Sequence, residues 1–211
     1  MAIRVVMLDI GGILEVIPEG GDPATRYPRF DAEWDAQLGL PAGSVTAAVD
    51  ALAEDGAFGR CTYAEFCARL RQSTGMSAED FPTFEAEFWD IYMGQPNEEL
   101  IAWFGALRPR YRTAILTNSF VGAREQEEAR YGFTSLCDLA IYSHEEGLRK
   151  PDPRIFALAA ERLGVAPAEI VFLDDVPANI EGARAFGYHA VLFSDTTQAI
   201  ADIETLLAGQ G

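Results

Sequence analysis

Asp9 closes a short apolar run, Arg4-Val5-Val6-Met7-Leu8, and is followed at once by Ile10-Gly11-Gly12. A carboxylate there sits where a buried strand opens into a glycine turn, the place where α/β sheets gather reactive groups. Thr117-Asn118-Ser119, Arg149-Lys150-Pro151 and Asp174-Asp175 also fall at or just after apolar runs. Each has a plain alternative when taken singly: an Asp or a Thr-Asn-Ser run suits a turn, and a lone lysine is ordinarily solvated. The Asp174-Asp175 pair is sharper, because adjacent carboxylates repel unless a cation or a base lies between them.

Together the four stretches make one constellation, since the strand ends of a doubly wound sheet converge on a single crevice. Asp9, a backbone carbonyl and Asp174 or Asp175 would give a hard cation the oxygen ligands it needs. A phosphoryl group in transfer needs its spread-out charge neutralised, which suits Mg²⁺, Lys150, and donors at Thr117 and Asn118. Asp9 would then be a carboxylate nucleophile attacking in line.

The elements that must position these residues are legible as alternating patterns. Short apolar runs predict strands at Ile3 to Leu8, Thr113 to Leu116, Leu139 to Tyr142, Ile170 to Leu173 and Ala190 to Phe193. Helical spacing predicts Glu98 to Leu107, Gly122 to Tyr131, Pro153 to Leu163, Ala178 to Phe186 and Thr197 to Leu207 between and after them. This alternation is that of a doubly wound, Rossmann-like parallel sheet with helices on both faces. Between the first two strands lie roughly a hundred residues, against ~30 for an ordinary βαβ unit. Helical spacing recurs inside that stretch at Phe30 to Leu38, Val45 to Leu52, Tyr63 to Ser73 and Phe81 to Tyr92, and Thr62-Tyr63-Ala64-Glu65 fits a capping box. The expectation is an α/β core formed by residues 1–15 and 94–211, with an inserted helical cap domain at 16–93 entered through a turn-rich linker or flap, Pro18-Glu19-Gly20-Gly21-Asp22-Pro23.

The net charge of −17 argues against polyanionic partners, because nucleic-acid binding depends on Lys and Arg neutralising phosphates. A small phosphorylated substrate remains compatible, since a divalent cation and a local base reverse the potential inside a pocket. Cys61, Cys67 and Cys137 lack metal-ligand spacing and read as reduced thiols. With no leader-like or membrane-spanning apolar run, a cytoplasmic protein acting as a monomer or homodimer on a small phosphorylated metabolite is expected.

The stretches Ser143-His144-Glu145-Glu146-Gly147-Leu148-Arg149-Lys150-Pro151-Asp152-Pro153-Arg154-Ile155-Phe156 and Phe172-Leu173-Asp174-Asp175-Val176-Pro177-Ala178-Asn179 carry a resemblance that spans nearly the whole chain. The sequence resembles haloacid-dehalogenase-like (HAD) hydrolases with a helical cap after the first strand. It is especially similar to the sugar-phosphate phosphatase branch and to the N-terminal domain of soluble epoxide hydrolases. The resemblance implies Asp9 as nucleophile, Thr117 and Asn118 as phosphate binders, and Lys150 as the base holding nucleophile and phosphoryl group. It implies Mg²⁺ held by Asp9, Asp174, Asp175 and the carbonyl of Gly11. The expected activity is Mg²⁺-dependent hydrolysis of a small phosphate monoester, a sugar 1-phosphate among the candidates.

Gly11 departs from the family's pattern, which places there an Asp that protonates the leaving group and later activates water. A positioned acid/base contributes roughly 10²- to 10⁴-fold, so its loss favours easy leaving groups such as sugar 1-phosphates, acyl phosphates and aryl phosphates. Two other readings remain: a HAD-like binding module that has lost activity, and a 2-haloacid dehalogenase, which needs no metal. Glu15 and His144 are the nearest titratable residues, and both are expected in structural places, Glu15 at the surface and His144 in a turn. His189 is expected to pack in the last strand, while Asn179 suits either a bond to the site carboxylates or a helix cap. Arg26, Tyr27, Arg29, Trp34 and Arg60 lie where a cap could reach substrate, and Phe84, Phe88, Trp89 and Tyr92 follow the spacing of a cap core or interface.

Overall fold

A computed structural model of the chain describes residues 2–16 and 23–209, the side chains of 23–26 excepted. The linker expected at Pro18 to Pro23 lies largely outside the described residues, as does the side chain of Arg26. Five parallel strands form the central sheet: β1 (Val5–Leu8), β4 (Arg112–Thr117), β5 (Leu139–Tyr142), β6 (Ile170–Asp174) and β7 (His189–Leu192), in the order β5-β4-β1-β6-β7. Two short strands, β2 (Glu15–Val16) and β3 (Gln95–Pro96), pair antiparallel with each other.

Strand β1 is central and buried on both faces, as a near-continuous apolar run in a parallel sheet requires. Val5 and Met7 join Phe156, Phe172 and Ile180 in one core layer, while Val6 and Leu8 join Phe104, Ile115 and Leu173 in the other. Leu8 is in register with Ile115 on one side and Leu173 on the other. The next residue, Asp9, therefore emerges between the ends of β4 and β6.

The helices are α1 (Pro23–Leu38), α2 (Ser44–Ala57), α3 (Tyr63–Thr74) and α4 (Phe81–Tyr92) in the insertion, then α5 (Glu98–Ala106) and α6 (Ala123–Tyr131). They are followed by α7 (Ser143–Glu146), α8 (Pro153–Leu163), α9 (Pro177–Phe186) and α10 (Thr196–Ala208). All five expected strands and every expected helix occur, with ends displaced by a few residues. The largest shift is α1, expected from Phe30 and found from Pro23. Pro28 lies inside that helix, and an interior proline reads in sequence as a break because it removes a hydrogen bond.

Helices α1 to α4 pack around a core in which Phe30, Trp34, Val45, Leu52, Phe66 and Phe84 are buried together with Val121 from the segment after β4. The β2–β3 pair sets the start of the insertion beside its end, with Val16 opposite Gln95. Helix α3 starts at a complete capping box, in which Thr62 and Glu65 satisfy each other's backbone N–H groups. Replacing Thr62 with Ala is expected to lower unfolding stability by about 1 kcal/mol. A urea titration checks this, with a displaced midpoint and an unchanged slope as the expected result.

Candidate active site

Lys150 is the centre of the site. Its side chain is fully buried, and its Nζ lies 2.8 Å from Asp9 Oδ2 and 2.7 Å from Asp174 Oδ2 while donating to the Leu116 carbonyl at 2.8 Å. An ammonium has three donors, and three acceptors from β1, β4 and β6 receive them. The loop that delivers it is fastened to the end of β4. Asn118 Nδ2 donates to the Lys150 carbonyl at 3.0 Å, and the Lys150 N–H donates to Asn118 Oδ1 at 2.9 Å.

Asp9 is nearly buried, and its Oδ1 accepts the Ile10 N–H at 2.8 Å. Burial pushes its carboxyl up to about 7, partly offset by Lys150 and reinforced by the neighbouring Asp174. Asp174 is fixed from several sides, because the Val176 N–H donates to its Oδ1 at 2.8 Å and Asn179 Nδ2 lies 3.0 and 3.1 Å from its two oxygens. Asn179 thus holds a site carboxylate, and Val176 occupies the cap position of α9.

Oxygens of Asp9, Asp174 and Asp175 all lie within 4.8 Å of one another. This donor set of hard oxygens beside one buried ammonium fits a divalent cation such as Mg²⁺. Gly12 keeps the space open: its φ is +74°, and a Cβ there would come 2.2 Å from Asp175 Oδ2. Gly11 is different, because a Cβ built on it meets nothing within 4 Å and its φ is not positive. The missing carboxylate at 11 therefore reflects the residue chosen and not a shortage of room.

Thr117 is buried at the end of β4 and pairs in register with Tyr142. Ser119, one residue beyond Asn118, places its Oγ 2.8 Å from His144 Nδ1. His144 is buried in α7, where burial holds its imidazole below the usual range. The expectation of a simple turn residue is corrected to a buried partner of Ser119, since α7 turns the ring inward. His189 opens β7, as expected. Arg29 and Arg60 are exposed and paired with Glu33 and Glu54, each at 2.9 Å, and Trp34 is buried in the helical core.

A cavity of about 580 Å³ runs from Asn118 and Ser119 outward between the sheet ends and the helical insertion. Tyr27, Phe66, Phe88, Tyr92 and Phe120 furnish its aromatic wall, and Arg149 lies on its lining. Phe120 is the meeting point, with ring centroids 5.9 Å from Phe66, 5.7 Å from Phe88 and 5.0 Å from Tyr92. Phe88 and Tyr92 are thus interface residues, whereas Phe84 is core.

The parallel sheet, the helical insertion after β1 and the charges at the strand ends define a doubly wound α/β protein with its chemistry in the strand-end crevice. The family model for haloacid dehalogenase-like hydrolases matches residues 64–187, and the chain belongs to that family. Among curated relatives it is 26% identical to bifunctional epoxide hydrolase 2 of Sus scrofa, covering 100% of this chain and 40% of that protein. It is 25% identical to acyl-CoA dehydrogenase family member 10 of Mus musculus, covering 97% of this chain and 19% of that one. The chain thus spans less than half the length of these relatives. A HAD family enzyme from Bacteroides thetaiotaomicron, solved in complex with magnesium and inorganic phosphate, superposes with a TM-score of 0.73 at 18% identity, covering 94% of this chain and 99% of that one.

Beside the site lie two acids that the sequence placed elsewhere or passed over. Glu15, expected at the surface, is buried, because the β2–β3 pairing folds it inward toward the Gly94 N–H, 3.4 Å from its Oε2. Glu127 on α6 is also buried, and Glu15 Oε1 and Glu127 Oε2 lack hydrogen-bond partners. Burial pushes Glu15 up to about 7, and burial with the charge of Glu15 pushes Glu127 up to about 9. Both folded-state values lie above the ordinary carboxyl range, so the folded chain binds more protons and stability falls as pH rises from about 4.5 to about 9. Thermal melts across that range are expected to show a falling Tm for the native sequence and a flatter profile for Glu127→Gln, which is the more stable of the two at the alkaline end.

Proposed function

We propose that the chain is a Mg²⁺-dependent phosphatase that hydrolyses a small phosphate monoester through an aspartyl-phosphate at Asp9. The observation that carries this reading is Lys150 Nζ held at 2.8 and 2.7 Å between Asp9 and Asp174, beside the oxygens of Asp175. A phosphoryl group brings negative charge toward a site already rich in carboxylates, so catalysis is chiefly positioning and charge neutralisation. Lys150 supplies one fixed positive charge and orients the Asp9 oxygen that attacks. Mg²⁺ held by Asp9, Asp174, Asp175 and the Gly11 carbonyl would supply the rest of the neutralisation. Thr117 and the Asn118 loop border the place where the remaining phosphoryl oxygens would sit.

Curated relatives support the reading: phosphatase MT3486 of Mycobacterium tuberculosis is 35% identical over 44% of this chain, and a phosphoserine phosphatase of Thermus thermophilus is 37% identical over 37%. The partner in this reading is a small phosphorylated metabolite, with no nucleic acid or membrane involved. Among the described residues no helix is long and apolar enough to cross a membrane. In this reading the protein is a cytoplasmic monomer or homodimer.

With Gly11 in place of an acid/base, both chemical steps lose assistance. The leaving oxygen departs without a positioned proton, and the water that attacks the aspartyl-phosphate is not activated. A second reading, carbon–halogen cleavage, is favoured by a (S)-2-haloacid dehalogenase of Pseudomonas that is 29% identical over 61% of this chain. It leaves the converging carboxylates without a task, and metal-free halide release from a 2-haloacid is its distinguishing result.

A phosphate-release panel with Mg²⁺, containing acyl, aryl, sugar 1- and sugar 6-phosphates, tests the proposal. Release is expected with Mg²⁺ and is expected to fall to background for Asp9→Asn; turnover indifferent to that substitution contradicts the nucleophile assignment. No release from any substrate, with no binding of Mg²⁺ or vanadate, favours a binding module. Because position 11 has open space, Gly11→Asp is expected to raise turnover of phosphates with alkanol leaving groups by on the order of 10²-fold. The same steady-state assay checks this.

A further inference from the structure

We infer that the substrate of this site is an aryl phosphate, its ring seated against Phe66, Phe88, Tyr92 and Phe120 and its phosphoryl group directed to Asp9. The inference rests on the phosphatase reading above and narrows it. Two independent observations converge on it: the character of the cavity and the residue at position 11.

The cavity is roomy at about 580 Å³, and its lining includes Asn118, which is bonded to the Lys150 backbone, and Ser119. Phe120 follows Asn118 and Ser119 on that lining, and the other rings are gathered around it with centroids between 5.0 and 5.9 Å away. Aromatic walls of this kind accept a ring edge-on or offset. Asn118, Ser119 and Glu54 are engaged by protein partners, while Asp50 and Arg149 on the same lining are exposed. Asn118 exchanges two hydrogen bonds with the Lys150 backbone, Ser119 Oγ is with His144 Nδ1, and Glu54 holds Arg60. A sugar ring would carry several hydroxyls into contact with Phe66, Phe88 and Phe120 and leave them unpaired, which is the costly kind of mismatch. An aromatic ring makes no such demand.

Gly11 points the same way by chemistry. No carboxylic acid stands at position 11 to protonate the leaving oxygen, so the P–O bond breaks most readily to give an anion that is stable enough to depart. A phenol, with a pKa of about 10, meets that condition far better than an alkanol, whose acidity is close to that of water at about 15.7. As the Asp9 oxygen bonds to phosphorus, the aryl P–O bond breaks, and its electron pair leaves on the phenolate, which takes a proton from solvent. Water then attacks phosphorus, the Asp9–phosphorus bond breaks, and inorganic phosphate departs with the carboxylate restored.

The test compares steady-state phosphate release from phenyl phosphate, benzyl phosphate, glucose 1-phosphate and acetyl phosphate with the native chain and Mg²⁺. The comparisons are read in kcat/KM, which reports formation of the aspartyl-phosphate and not its breakdown. Benzyl phosphate is expected to show a kcat/KM on the order of 10²-fold below that of phenyl phosphate. Phe120→Leu is expected to lower the ratio of phenyl to acetyl phosphate kcat/KM by about 10-fold. If glucose 1-phosphate matches or exceeds phenyl phosphate in kcat/KM, the aryl assignment is overturned and the phosphatase reading stands. If none of the four releases phosphate in an Asp9-dependent way, both fall together.

Discussion

The buried contact of one ammonium with two carboxylates governs this molecule. Lys150 lies between Asp9 and Asp174 with no exposure of its own side chain, so neither acid is stable there without it. Removing one partner from such a set leaves an uncompensated buried charge, at a cost of about 3–5 kcal/mol. The sheet order follows from the same requirement. Only with β1 between β4 and β6 do Asp9, the Leu116 carbonyl and Asp174 face one lysine. Asn118 and Asn179 then act as braces, the first holding the lysine loop and the second holding Asp174.

A surplus of acid beside that centre gives the site its electrostatic character. Asp9, Glu15 and Glu127 are all pushed up by burial, which marks a region short of positive charge. A structure that conceals acids in this way sacrifices stability at alkaline pH, and strained electrostatics of this kind gather where function requires them. The converging oxygens of Asp9, Asp174 and Asp175 are the part of this surplus that a divalent cation would relieve.

Much of this was legible in the residues. The strands were readable because β-branched and apolar runs of four to six residues stood between turn signals, and each site residue followed such a run. Thr62 and Glu65 announced the start of α3. Other features were not legible, for identifiable reasons. Pro28 concealed the first turns of α1, and β2 and β3 are too short to show periodicity. Glu15 looked like a surface residue because its burial depends on a pairing partner some eighty residues away. The Ser119–His144 contact likewise joins the loop after β4 to helix α7, which no local pattern connects. A polar residue of either kind is recognisable only when the fold places its neighbour.

Gly11 ties the chemistry to kinetics. An aspartyl-phosphate formed at Asp9 faces water with no positioned base, so its breakdown is the slow step and the intermediate should accumulate during turnover. The most direct measurement is acid quenching during hydrolysis of phenyl phosphate with Mg²⁺, followed by borohydride trapping and peptide mass mapping. The expected result is modification of the peptide that contains Asp9, at the Asp9 carboxyl and absent from Asp9→Asn. Steady turnover with Asp9 unmodified, or trapping at a different residue, would contradict the account.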